Sequence, residues 1–176
     1  MADFEIAVNK TIANEGGDKY TEKADDKGGA TKYGISLNFI INCHKPIPIS
    51  GTIDKDKIKN LTIEQAKQIY KTCFWYDNRY GEIEDQDIAN KVFDMAVLIG
   101  APQANKILQY SAYMSKSDID GIIGDKTLSS LFRHPEDKLI LYYSIKVDFT
   151  KYFLSICNKD KSQEKFLLGW LNRVMS

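Results

Sequence analysis

Apolar residues recur at helical spacing along most of this chain, and the period disappears between residues 18 and 35. That interruption constrains the fold more than any bulk property: the chain must be mostly helical, with one short extended element near its start. Over residues 3–14, Phe4, Ala7, Val8 and Ile12 mark one helix face, and Gly16 with Gly17 can end that helix in left-handed geometry. Glu15 is therefore expected at a helix C-terminus. Beyond it, Asp25, Asp26, Gly28 and Gly29 form a turn cluster flanked by Tyr20 on one side and by Thr31, Tyr33 and Ile35 on the other, the composition of a small irregular β-hairpin.

The remaining pattern reads as a succession of helices. Ser36 can cap a short one to about Cys43, after which Pro46, Pro48 and Gly51 mark an irregular loop to about Asn60, a candidate cleft wall. Thr62 and Gln65 form a capping-box pair ahead of Ala66, Ile69, Tyr70 and Cys73, a face that runs into Phe74, Trp75 and Tyr76. Asp87 can cap a helix over residues 88–99 that is apolar nearly all round, which predicts the most buried element, and Gly100 ends it. Pro102 suits the first turn of a helix to about Met114, the DGIIG run at 120–124 makes a turn, and Asp125 or Lys126 begins a short helix to Phe132. Pro135 opens a long aromatic-rich helix to about Cys157, and Ser162 can cap a terminal one carrying Phe166, Leu167, Trp170, Leu171 and Val174. The expectation is a mainly α fold of about seven or eight helices with one hairpin after the first.

Charge and cysteine content exclude several function classes. Lys plus Arg equals Asp plus Glu at 24 each, so no net field or basic stripe is present to hold nucleic acid. No apolar run approaches the roughly 20 residues that span a bilayer, so no stable membrane insertion is expected. The start, MADFEIAVNK, lacks the basic n-region and apolar core of a signal peptide, which predicts synthesis as a cytosolic chain. Cys43, Cys73 and Cys157 are odd in number, widely spaced and outside any CxxC pattern, so they read as small buried apolar residues rather than a disulfide framework or zinc site. His44 and His134 each lie near a proline with no Ser or Cys nucleophile pattern beside them, which speaks against a His-based triad. Neither a cofactor nor a metal is indicated.

The chemistry concentrates in residues 14–36, NEGGDKYTEKADDKGGATKYGIS: a helix-end carboxylate, a Gly-Gly stop, a carboxylate-bearing turn, a second Gly-Gly, then Thr31 and Tyr33. A hairpin after a helix could return Asp26 and Thr31 toward Glu15, placing two carboxyls and a hydroxyl in one cleft. Glycoside cleavage needs a carboxylic acid that arrives protonated at the leaving oxygen, and the negative end of a helix dipole disfavours an ionised carboxylate. Glu15 suits that role. A second carboxylate that stays ionised can steer water or stabilise charge, and Asp26 is the candidate.

The EGG at 15–17, the D-x-GG at 26–29 and the T-x-x-GI at 31–35 resemble the signature of glycoside hydrolase family 108, phage-type N-acetylmuramidases of the lysozyme-like superfamily. The resemblance implies a lysozyme-like α+β fold and hydrolysis of the β-1,4 bond between N-acetylmuramic acid and N-acetylglucosamine, without a cofactor. It carries the acid role onto Glu15, and less directly gives Asp26 and Thr31 the placing of water. The stretch between the Glu and the D-x-GG aspartate is longer here than in the family, which leaves both Asp25 and Asp26 able to face the site. Direct attack by that water would invert the anomeric centre, with carboxyl groups roughly 6.5–9.5 Å apart. The rest of the chain is similar to the predicted peptidoglycan-binding segment that usually accompanies this family's catalytic part, through residues 88–100, Gln109, DGIIGDKTL at 120–128 and GWLNR at 169–173. The resemblance implies a division near residues 1–90 and 91–176.

Asp25 and Asp26 in a Gly-containing turn are ordinary turn formers, Thr31 an ordinary strand residue and Tyr33 a hairpin aromatic. Tyr33, Trp75 and Tyr76 are candidates for substrate contact, although aromatics at helical spacing more often belong to a core. Asp94, inside an apolar helix, must be paired, and Arg173 is a possible partner. A lytic transglycosylase would cut the same bond with one glutamate, and a non-catalytic wall-binding or secretion-associated module would bind glycan without turnover. The expected partner is the peptidoglycan glycan strand, met by a monomer at the bacterial cell wall after release as an endolysin or during envelope-spanning secretion.

Overall fold

The computed structural model describes residues 1–22, 29–131 and 138–176, which form two compact units, Asp3–Asp77 and Asn78–Ser176 with Met1–Ala2. The described residues hold nine α-helices and a single two-stranded antiparallel sheet after the first helix, so the fold is mainly α as the helical period requires.

In Asp3–Asp77, α1 spans Phe4–Asn14 and starts at Asp3, whose carboxylate accepts the Ile6 N–H at 3.1 Å. Its buried residues Phe4, Ala7, Val8, Thr11 and Ile12 keep the spacing of one helical stripe. The sheet pairs β1, Thr31–Lys32, with β2, Ile35–Ser36, in the register Thr31 to Ser36 and Lys32 to Ile35. Its connection is a two-residue turn in which Tyr33 (φ 53°) and Gly34 (φ 76°) are both left-handed, the geometry whose twist matches paired strands. The expected turn cluster of Asp25, Asp26, Gly28 and Gly29 lies, but for Gly29, outside the described residues; an antiparallel bridge pairs Thr21 with Thr31. Tyr-Gly supplies the required pair of positive φ values two residues after Thr31.

Ser36 caps α2, Leu37–Ile41, as its position suggests, its hydroxyl accepting the Phe39 N–H at 3.1 Å. The loop after α2 contains a further helix, α3 at Lys55–Lys59, because Asp54 supplies a cap for the Lys57 N–H. Thr62 and Gln65 form the reciprocal capping box of α4, Ile63–Tyr70. That helix then widens into a π turn over Lys71–Trp75, closed by the Tyr76 N–H on the Lys71 carbonyl at 3.1 Å. The extra residue in a π turn rotates the side chains beyond it relative to the helix, leaving Trp75 buried and Tyr76 at the surface.

In Asn78–Ser176, α5 (Gln86–Ile99) is buried without a break over residues 88–96, as the all-round apolar pattern predicts. Its cap is Asp85 rather than Asp87: the Asp85 carboxylate takes the N–H groups of Asp87 and Ile88 at 3.0 and 3.1 Å, and Asp87 falls in the first turn. Gly100 (φ 87°) joins α5 to α6, Ala101–Ser111, which has Pro102 in its first turn. After α7 (Asp125–Leu131), the long α8 (Lys138–Lys159) packs against α9 (Glu164–Met175) and α6. The last helix is preceded by a 3-10 turn capped by Asp160, which receives the Ser162 N–H at 3.0 Å, so Ser162 is not itself the cap. The expected start of the long helix at Pro135 lies outside the described residues.

Polar groups inside this unit meet one another. Arg173 grips Asp94 through two 3.0 Å bonds, the partnership the apolar context of Asp94 demands. Gln109 donates to Asp120 at 2.8 Å and to Thr127 at 3.2 Å while accepting the Gly121 N–H at 2.8 Å. The DGIIG turn is thereby fastened to α6, and a Cβ at Gly121 would lie 2.6 Å from the Pro102 carbonyl.

Candidate active site

Glu15 occupies the C-cap of α1, and the two glycines after it complete a Schellman motif: Gly17 N–H bonds the Ile12 carbonyl at 2.9 Å and Gly16 N–H the Ala13 carbonyl at 3.1 Å. Gly16, at φ 91°, takes the left-handed position the motif requires. The chain is thus stopped and turned immediately after the carboxylate, which leaves Glu15 at the helix end.

The hairpin turn lies directly against it. A Cβ built on Gly34 would fall 2.5 Å from Glu15 Cγ and 2.6 Å from the Tyr70 hydroxyl, closer than any side chain can approach. Only glycine lets the turn close over the Glu15 stem, and its φ of 76° favours glycine independently. Tyr70, 2% exposed, donates its hydroxyl to the Tyr33 carbonyl at 2.8 Å, so α4 holds the turn from the other side. Lys32 ties the same hairpin down by donating to the Lys59 and Leu61 carbonyls, each at 2.9 Å. Gly34 of the hairpin thus lies against both the Glu15 stem at the end of α1 and the Tyr70 hydroxyl at the end of α4.

The other expected site residues divide between this hairpin, the surface and the core. Thr31 lies half-buried on β1, with its hydroxyl toward the Gly29 carbonyl at 3.4 Å, and Tyr33 is half-buried at the turn itself. Tyr76 is 62% exposed and turns aromatic surface to solvent. Trp75 needs correcting: it is 4% exposed and packs edge-on against Phe4 at 5.4 Å, a core residue with no face for a sugar. Asp25 and Asp26 lie outside the described residues. The cysteine reading also changes, since Cys157 is buried but Cys43 and Cys73 are half-buried neighbours, with sulfurs 3.2 Å apart.

Gly34 and Tyr70 join the site although sequence reasoning does not mark them for it. Gly34 stands in the T-x-x-GI run, but what it touches is set by tertiary packing. Tyr70 reads only as one more apolar position on its helix.

A groove of about 740 Å³ on α6 and α8, lined by Tyr110, Tyr113, Leu139 and Tyr143, offers a contrast. Its carboxylate, Asp148, is already engaged by the Ser111 hydroxyl and the Lys151 ammonium, both at 2.9 Å, which suits a structural role better than proton transfer.

The family profile described as glycosyl hydrolase 108 matches residues 8–100, and one described as a predicted peptidoglycan domain matches residues 103–175. The chain belongs to glycosyl hydrolase family 108. It is accordingly a lysozyme-like glycoside hydrolase of peptidoglycan, and the matched region contains Glu15, the hairpin and α4. The solved structure of Brucella abortus SagA is similar to it, with a TM-score of 0.75 and 25% identity over 98% of this chain and 89% of that one. No curated protein matches the chain.

Proposed function

We propose that this family 108 hydrolase is an N-acetylmuramidase in which Glu15 is the general acid, protonating the leaving oxygen of the β-1,4 bond between N-acetylmuramic acid and N-acetylglucosamine. The observation that carries this reading is the close packing of the Gly34 turn against the Glu15 stem at the end of α1. A carboxyl whose stem is packed against a fixed turn has the aim that proton donation needs. Asp26 or Thr31 places the attacking water, Asp25 being the alternative carboxylate, and Tyr33 and Tyr76 contact the glycan. The enzyme works as a monomer at the cell wall, reached as an endolysin or during envelope-spanning secretion.

The test compares wild type with Glu15→Gln on isolated peptidoglycan, following turbidity and identifying new sugar ends by mass spectrometry. Reducing muramic ends from wild type, with a rate loss of about 100- to 10,000-fold in the variant, are expected. An anhydro-sugar product would replace hydrolysis by transglycosylation. Full activity of a folded Glu15→Gln protein would remove Glu15 from the mechanism.

A further inference from the structure

The thiols of Cys43 and Cys73, which play no part in glycoside cleavage, are 3.2 Å apart and both half-buried. They sit on segments that are joined on either side of the sulfurs. Phe39 stacks on Phe74 at 5.7 Å with rings only 18° from parallel, and Lys45 pairs with Asp77 at 2.6 Å. Cys43 itself is fixed by its N–H to the Ile40 carbonyl at 3.1 Å, and Cys73 is inside the π turn. The sulfurs are thus held opposite each other by packing and charge on both flanks. A disulfide bond is about 2.05 Å long, so closing it needs an approach of only about 1 Å.

We propose that Cys43 and Cys73 are a modification site, oxidised by a disulfide-bearing thiol oxidant to an intramolecular disulfide. One thiolate attacks a sulfur of the oxidant R–S–S–R and expels the first R–S⁻; the second attacks the resulting mixed disulfide and expels the other. The two protons lost by the cysteines end on two R–SH molecules, and the oxidant takes the two electrons. Burial, with the facing Cys43 sulfur second, pushes the Cys73 thiol up to about 12.

The bridge would fasten two pieces of the frame around Glu15. Cys43 comes just after α2, which runs on directly from β2 of the hairpin, and Cys73 is one turn beyond Tyr70, whose hydroxyl holds that hairpin's turn. It would also close the loop that contains α3 and α4. Oxidant is plentiful outside the cytoplasmic membrane, where peptidoglycan lies; that setting rests on the wall-directed reading, whereas the thiol chemistry does not.

The experiment incubates the purified full chain with glutathione disulfide, then labels remaining thiols with a maleimide of known mass, without and with prior denaturation. The expected product is a monomer with one labelled thiol after denaturation, a proteolytic fragment linking Cys43 to Cys73, and full reversal by dithiothreitol. Thermal unfolding should move up by roughly 5–15 °C on oxidation, as expected for a loop of this length in a chain of this size. Cys43→Ser and Cys73→Ser should show no such oxidation-dependent shift. Three labelled thiols, a persistent glutathione adduct, or chains cross-linked to one another would overturn the proposal. The count uses wild-type protein and no substrate, so neither a misfolded variant nor a failed muramidase assay affects it.

Discussion

In Asn78–Ser176 buried polar side chains find polar side chains: Asp94 meets Arg173, Gln109 meets Asp120 and Thr127, and Asn105 accepts the Tyr80 hydroxyl at 2.8 Å. In Asp3–Asp77 the stem of the half-buried Glu15 packs instead against backbone, at a glycine turn held by the Tyr70 hydroxyl. The first arrangement consumes the hydrogen-bonding capacity of its members and yields rigidity. The second fits the stem of a carboxyl by shape, as the proposed proton donor would need.

That contrast breaks first at Arg173. Arg173→Ala would leave the Asp94 carboxylate, whose side chain is 3% exposed, without its ion pair. Breaking a buried pair from one side costs about 3–5 kcal/mol, and urea unfolding should record a loss of that size. Specific activity at low temperature, measured on the folded fraction, should change little. A large fall in turnover without loss of stability would mean that Asp94 and Arg173 act in the chemistry.

The opposite outcome is expected at Gly34. Gly34→Ala places a methyl against Glu15 and Tyr70 and also forces a left-handed φ on alanine. Overpacking and strain together amount to roughly 2–4 kcal/mol, and turnover should fall at least tenfold as the turn and Glu15 are pushed apart. Gly51→Ala is the control, since Gly51 has a similar φ of 82° but open space around its Cβ position. It should lose about 1 kcal/mol and keep its activity. Equal behaviour of the two variants would show that the turn's closeness to Glu15 has no functional weight.

Much of the fold is legible in the sequence, for reasons that separate local from distant physics. The Ser36 and Thr62–Gln65 caps, the Gly16–Gly17 stop, the buried α5 and the pairing of Asp94 with Arg173 all come from rules linking a residue to its near neighbours or to the polarity of its helix. The sugar-contact expectation for Trp75 fails because a π turn adds one residue to the helical period, and periodicity alone carries no sign of it. Cys43 and Cys73 meet across 30 positions of sequence with no motif to announce them. Gly34 is visible only as part of the T-x-x-GI run, and its approach to Glu15 depends on how the hairpin returns to α1.

The smallest and most discriminating change is Tyr70→Phe, which keeps the ring and its packing and removes only the hydroxyl that donates to the Tyr33 carbonyl. The loss in stability should be about 1 kcal/mol, the ordinary net worth of one such hydrogen bond. If the turn is held in place for Glu15, turnover should fall several-fold while KM stays nearly constant, because what is lost is aim at the reacting bond rather than grip on the glycan. The left-handed Tyr33 makes this prediction sharper, since a strained residue persists only while its surroundings enforce it. A rise in KM with unchanged turnover would instead assign the hairpin to substrate binding, and would move the work of positioning Glu15 onto the Schellman end of α1 alone.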